Sequence, residues 1–157
     1  MQEHDLLAQD TANRKQALEL DSFIVEAPAG AGKTELLTQR FLRLLQTVRE
    51  PEEIVAITFT NKAASEMRSR ILNSLQCAAQ GGVPEQAHKR ITYDLALRAL
   101  ARSQESGWNL LAQPERLRIN TIDSLCSLLA RQMPLMSRFG AQPAVTSDAA
   151  VHYQEAA

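Results

Sequence analysis

No run in this sequence approaches the roughly 18 consecutive apolar residues that a membrane span requires. The opening Met1-Gln2-Glu3-His4-Asp5 carries acids where a secretory signal would carry Lys or Arg ahead of an apolar stretch. The chain therefore reads as cytoplasmic, with no membrane partner. Cysteine is almost lacking too: Cys77 and Cys126 stand far apart, with no Cys or His at metal-ligand spacing, and are expected to be buried reduced thiols. His4, His88 and His152 are scattered, and no serine or cysteine sits in a nucleophile motif, which leaves a hydrolase triad without support. Nor does charge of one sign dominate. Seventeen basic and 18 acidic side chains, a net charge of −1, argue against a wholesale polyanion binder and still permit a local basic groove.

What is present is a chain of 157 residues, 45% apolar and 22% charged, within the range of globular domains. A chain this long can bury roughly 70% of the surface its unfolded form exposes, so a core is available without disulfides. The β-branched and aromatic run Ser22-Phe23-Ile24-Val25-Glu26 predicts a strand, and Leu36, Leu37, Phe41, Leu44, Leu45 and Val48 recur at helical spacing. That helix should stop at Arg49 to Glu53, because Pro51 pushes its predecessor out of the α region. Ile54 to Phe59 reads as a strand that is apolar on both faces, as parallel strands covered by helices are. Strand, helix and strand in this order predict an α/β architecture.

A second helix is expected from Asn61 as N-cap, carrying Ala64, Met67, Ile71, Leu75 and Ala78 on one face and ending before Gly81-Gly82. A third follows Pro84 with Ile91, Leu95, Leu97, Leu100 and Ala101, and dissolves near Gly107. Leu117 to Ile122 suggests another short strand. Asp123 or Ser124 then caps a helix that carries Leu125, Leu128 and Leu129 and ends before Pro134. From Ser137 the pattern loosens.

The most informative segment is Ala27-Pro28-Ala29-Gly30-Ala31-Gly32-Lys33-Thr34, which follows the Walker A pattern except that Ala27 stands at the first glycine. A tight turn whose N–H groups converge on phosphate needs small residues, and Gly30 and Gly32 supply the freedom. Lys33 is suited to the β- and γ-phosphates and Thr34 to Mg²⁺, which makes ATP and Mg²⁺ the expected cofactors. Nucleotide binding alone leaves the reaction open, since many activities share this loop.

The loop with its continuation Glu35-Leu36-Leu37-Thr38-Gln39-Arg40 resembles motif I of the UvrD/Rep-like superfamily 1 DNA helicases. Thr58-Phe59-Thr60-Asn61-Lys62-Ala63-Ala64-Ser65-Glu66-Met67 is similar to the family's motif Ia at every defined position. Thr121-Ile122-Asp123-Ser124-Leu125-Cys126 resembles its T-x-H-S-x-C motif, with Asp123 where histidine is usual. Upstream, Asn13 to Leu18 occupies the place of the family's Q motif. The register that aligns Ala17-Leu18 sets Arg14 at the expected glutamine, and Gln16 is the candidate adenine reader. Within the family the resemblance is closest to the helicase–nuclease branch of AddA and RecB.

The resemblance implies a P-loop NTPase with a RecA-like parallel sheet flanked by helices, here the incomplete first motor domain. Residues 1–157 would be the N-terminal part of the ATP-binding domain, with a helical insertion at about 81–116. It implies single-stranded DNA as partner, met by Phe59, Thr60, Asn61, Thr121 and Ser124, with a nuclease subunit as a further partner. In the full-length enzyme ATP hydrolysis would drive 3′–5′ translocation and unwinding in DNA repair and recombination. Lys62, Arg68 and Arg70 form a candidate basic edge.

Hydrolysis also requires an acidic pair after an apolar strand and arginines from a second motor domain. The sequence has no Asp-Glu pair, and its Glu52-Glu53 precedes a strand rather than following one. The chain alone is thus expected to be inactive, the start of a longer helicase. Two other readings stay open: a non-catalytic nucleotide- or DNA-binding module, and a small P-loop phosphotransferase, which would leave the motif Ia match unexplained.

Overall fold

Two short parallel strands, one helix laid against them and two further helices packed on that helix organise the first part of the chain. The computed structural model describes residues 2–132, which divide into one unit ending at Thr121 and another beginning at Ile122. The first unit runs α1 (Gln2–Gln16), α2 (Lys33–Leu44), a 3-10 turn (Pro51–Glu53), β1 (Val55–Thr58), α3 (Asn61–Ala79), α4 (Ala87–Glu105), a second 3-10 turn (Pro114–Arg116) and β2 (Arg118–Thr121). Val55 lies opposite Arg118 and Thr58 opposite Thr121, and α3 with α4 makes the long crossover that a parallel pair requires. The fold is mixed α/β with a small parallel sheet. The described part of the second unit is α5 (Ile122–Gln132).

The sheet differs from the expected one. Ser22–Glu26 is not a strand: the segment has no ladder partner among the described residues, and Ile24 is 93% exposed. β-Branched composition favours a pleated, half-buried surface but cannot create one without a neighbour. β1 is shorter than Ile54–Phe59, and its alternate residues Val55 and Ile57 are exposed while Ala56 and Thr58 are half-buried. Among the described residues, one face of β1 is therefore the more covered. Helix α1, mostly polar and without an apolar stripe, was not indicated by periodicity.

The core lies between α2, α3 and α4. Leu36, Phe41 and Leu42 of α2 turn inward, with Leu45 just beyond its end. From α3 come Ala64, Ile71, Leu75 and Ala78, on the face read from the sequence. α4 lies against both helices, but its buried face runs through Thr92, Tyr93, Leu95, Ala96, Ala99 and Ser103, whereas Ile91, Leu97 and Ala101 are exposed. Alanines let the helix axes approach, so small residues mark the inner face and some larger aliphatic ones lie outside. Buried Gln39 donates from Nε2 to Thr92 Oγ1 at 2.9 Å, and the Thr92 hydroxyl donates to the Glu35 carboxylate. These bonds pair the Gln39 amide and the Thr92 hydroxyl where α2 meets α4.

Trp108 is the largest fully buried side chain. It sits where the sequence suggested only a dissolving helix end. Its indole N–H donates to Arg49 O at 3.2 Å, and the Arg102 guanidinium lies 5.7 Å from the ring centre. Both thiols depart from expectation. Cys126 is exposed, and Cys77 is half-buried with Sγ 3.2 Å from Gly82 O. The N-cap of α3 is Thr60 rather than Asn61, its Oγ1 accepting from Ala63 N at 3.1 Å. α5 opens at Ile122, directly after β2, with Asp123 inside its first turn rather than at a cap. The expected stop at Pro134 and the loosening from Ser137 lie outside the described residues. No helix among the described residues is long and apolar enough to cross a membrane.

Each strand is preceded by a proline-initiated 3-10 turn, and an ionic cluster ties the two turns together. Arg116 grips Glu52 through Nε–Oε1 at 2.6 Å and Nη2–Oε2 at 3.1 Å, reaches Glu50 Oε2 at 2.8 Å, and donates from Nη1 to Trp108 O at 3.2 Å. The planar fork suits this double grip. The Arg116 hydrogen bonds hold the Glu52 carboxyl below its ordinary value of 4.5, against an opposing desolvation, and Glu52 in turn raises Arg116. A carboxyl whose pKa is lowered by folding contributes stability that is complete above the unfolded value and lost as pH falls through the folded one. Stability measured by urea unfolding should thus decline below about pH 4.5 by roughly 1 kcal/mol from this pair, given its partial exposure. Glu52→Gln should remove that part of the decline, and an unchanged acid limb in the variant would contradict the assignment.

Candidate functional site

The segment from Ala27 to Gly32 turns back on itself and delivers the chain into α2. Gly30 and Gly32 adopt φ of 80° and 75°, the left-handed region that a side chain disfavours. Gly32 is the N-cap of α2 and supplies no side-chain cap, so the N–H groups of the first helical turn face outward without an intrahelical acceptor. Such a terminus, at the positive end of the helix dipole, suits a phosphate group. The donor set therefore fits the expected ligand.

Lys33 opens α2 and bends back over the loop. Its ammonium donates to Ala27 O at 2.5 Å and Pro28 O at 2.6 Å, which leaves one of its three N–H groups for another acceptor. Thr34 is exposed on the first turn of α2, its carbonyl accepting from Thr38 Oγ1 at 2.9 Å. No group of three or more His, Cys, Asp or Glu suited to a metal occurs among the described residues. Mg²⁺ commonly keeps its waters and enters on nucleotide phosphates, so it does not require such a cage.

Beside the loop lies a pocket of about 270 Å³ whose walls include Arg14, Gln16, Phe23, Ala27, Ala31 and Lys33. Gln16, the candidate adenine reader, thus shares a cavity with Lys33. Two arginines hold this region: Arg14, at the position where the motif register expects glutamine, and Arg40, in the continuation of the loop. Arg14 donates from Nη2 to Ala31 O at 2.7 Å and pairs through Nε with Asp10 at 2.8 Å. Arg40, on α2, donates from Nη1 to Ala17 O at 2.5 Å and Glu19 O at 2.9 Å and from Nη2 to Asp21 O, and its guanidinium lies 5.2 Å from the Phe23 ring centre. It gathers the irregular approach to the loop. Charged residues at helical spacing ordinarily read as a solvated face, which is why periodicity assigned neither arginine a structural role.

Within the first unit, Phe59, Thr60, Asn61 and Thr121 lie at or just beyond the ends of the two strands. Phe59, first residue beyond β1, is 89% exposed, which removes it from the core. Thr60 and Asn61 are exposed beside it, with the Thr60 hydroxyl engaged as the α3 cap. The strand register sets Thr121 opposite Thr58, at the same end of the sheet, where Thr121 is buried. Ser124 belongs to the second unit, exposed on α5. The expected basic edge is reduced: Arg68 donates to Ile119 O at 2.8 Å, Arg70 pairs with Glu66 at 2.8 Å, and Lys62 is exposed. Glu52 is held by Arg116, and Glu53 Oε1 accepts from Glu50 N at 3.0 Å.

Residues 9–149 match the family described as the UvrD/REP helicase N-terminal domain. The chain is 44% identical over 79 residues to DNA helicase II of Salmonella typhimurium, covering 47% of this chain and 11% of that protein. It is 43% identical over 79 residues to DNA helicase II of Escherichia coli, with the same shares. It is 48% identical over 64 residues to the ATP-dependent DNA helicase PcrA of Leuconostoc citreum, covering 38% of this chain and 8% of that protein. The matched stretches thus span about a tenth of the relatives' own lengths. No solved structure matches.

Arg40→Ala should destabilise the protein by about 1–3 kcal/mol, since three carbonyls lose a charged donor together with the contact to Phe23. Arg40→Lys, with a single ammonium, should recover less than half. Denaturant midpoints equal to wild type for both variants would show that the grip contributes nothing.

Proposed function

Because the chain belongs to the UvrD/REP helicase N-terminal domain family, we propose that it is the ATP-binding and single-stranded-DNA-binding portion of an ATP-dependent DNA helicase. The observation that carries this reading is the loop geometry: two left-handed glycines deliver Lys33 to the mouth of α2, beside a pocket that Gln16 also lines. Residues 1–157 are then the N-terminal part of a RecA-like P-loop motor domain, with about 81–116 as its helical insertion. The helicase–nuclease branch, with a nuclease subunit as partner, is the narrower form of this proposal and rests on the sequence resemblance. A cytoplasmic location goes with it.

In this reading the α2 N–H groups and Lys33 hold the β- and γ-phosphates of ATP, and Mg²⁺, bound through Thr34, neutralises phosphate charge. Gln16 carries both a donor and an acceptor, the pair needed to read the adenine amino group and its neighbouring ring nitrogen. Phe59 offers a ring for base stacking, while Thr60, Asn61, Thr121 and Ser124 offer short polar groups for phosphate and sugar. Hydrolysis and its coupling to 3′–5′ translocation require the acidic pair and arginines that this chain does not supply. The chain alone should bind Mg·ATP without appreciable turnover.

Calorimetric titration with Mg·ATP tests the nucleotide half of the proposal. Lys33→Ala should abolish measurable affinity with the far-ultraviolet dichroism unchanged, and retained affinity would refute the assignment of the loop.

A fluorescent single-stranded oligonucleotide tests the other half. Phe59→Ala should weaken binding by roughly 1–3 kcal/mol, the worth of one stacked base, without lowering the melting temperature, since the ring is exposed. Equal DNA affinity in the two proteins would rule Phe59 out as the platform.

A further inference from the structure

Ala31 stands between the two left-handed glycines, in the part of the loop with the greatest backbone freedom. Its methyl group cannot anchor it. The Ala31 carbonyl is held by Arg14 Nη2 at 2.7 Å, across 17 residues of sequence, while Arg14 Nε is fixed on Asp10 Oδ2 at 2.8 Å. The same guanidinium lies along Gly32, where an added Cβ would come 3.5 Å from Nη1. Asp10 and Arg14 are one turn apart on α1, so the carboxylate sets the plane of the fork and the fork sets the carbonyl. The arrangement has an electrostatic peculiarity. A cation beside the N-terminus of α2 faces the positive end of the helix dipole, which disfavours it, and the first-turn N–H groups there await an anion. Such a position is favourable when a negatively charged group occupies the loop.

We propose that Arg14 is a positioning residue for phosphate binding: oriented by Asp10, it fixes Ala31 and thereby the direction of the loop's N–H groups. The proposal rests on the nucleotide-site reading above and deepens it, since it ties the order of α1 to occupancy of the loop. It also gives Arg14 a role different from that of a base reader. A guanidinium has donors only, and two of its N–H groups are already spent on Ala31 and Asp10.

The test titrates the 157-residue chain and its variants with Mg·ATP, and follows amide hydrogen exchange of residues 31–33 without nucleotide. Arg14→Ala should weaken Mg·ATP binding about tenfold, the worth of one hydrogen bond from a charged group, and speed exchange at those amides. Arg14→Lys should recover only part of the affinity, because one ammonium cannot reproduce the fork. Asp10→Asn, a surface change of a single atom, should lose a few-fold in affinity with the same local rise in exchange. Wild-type affinity in both Arg14→Ala and Asp10→Asn would overturn the proposal and leave the nucleotide reading standing. Should Arg14→Ala fail to fold, Asp10→Asn decides alone, and its unchanged affinity and exchange would equally overturn it. A wild-type chain with no affinity for Mg·ATP would overturn the nucleotide reading, and this inference with it.

Discussion

A loop made of Ala27, Pro28, Ala29, Gly30, Ala31 and Gly32 has almost no side chain with which to hold itself, so its shape depends on restraints supplied from outside. Small residues are what a phosphate cradle needs, because the ligand must reach backbone N–H groups closely. The same smallness deprives the loop of packing. The structure answers from three sides. Lys33 bridges the carbonyls of Ala27 and Pro28, Arg14 holds that of Ala31, and Arg40 fixes the approach through Ala17, Glu19 and Asp21. All three restraints are cations on carbonyl oxygens. Such bonds are stronger than those between neutral groups.

Helix α2 joins this site to the core. Its first turn is the mouth of the loop, its middle carries Arg40, and its inner face contributes Phe41 and Leu42 to the core. The buried Gln39–Thr92–Glu35 chain fixes the helix in rotation, since a slip by one residue would strand a buried amide. The direction in which the α2 N–H groups point is thus set by core packing several residues away. Core substitutions along α4 would reach the loop by this route, through rotation of α2 rather than through contact.

Much of this was legible in the residues. The loop, the α2 start, the α3 face and the two strands at 54–59 and 117–122 all lay close to their observed places, because Gly-Lys-Thr punctuation and helical periodicity are local signals. What escaped was non-local. Ser22–Glu26 has the composition of a strand, yet a ladder is a property of pairs and no partner lies beside it among the described residues. α4 hid its inner face among alanines, and Trp108 looked like the ragged end of a helix although it fills the core. The carbonyl-holding roles of Arg14 and Arg40 were unreadable for a related reason. An arginine declares a charge, while its value here lies in which distant carbonyls it reaches. Even Glu52, notable in sequence as half of an acidic pair, takes its meaning from Arg116, 64 residues away.

The direction of the strands bears on how the acidic residues are to be understood. Because β1 and β2 are parallel, both start at one end of the sheet and finish at the other. Glu50, Glu52 and Glu53 lie at the starting end, drawn into the paired 3-10 turns by Arg116 and by the Glu50 backbone. Thr58 and Thr121 finish at the opposite end, where Phe59, Thr60 and Asn61 follow at once. In open α/β sheets ligands meet the protein at the carboxyl ends of strands, which is the end that carries the polar and aromatic candidates. A carboxylate held at the amino end and already neutralised by a forked arginine cannot also orient a water at the carboxyl end. Glu52 and its neighbours therefore hold the two strands together at their start, and the register that follows sets Thr58 opposite Thr121, with Phe59 and its polar neighbours directly after the carboxyl end of β1.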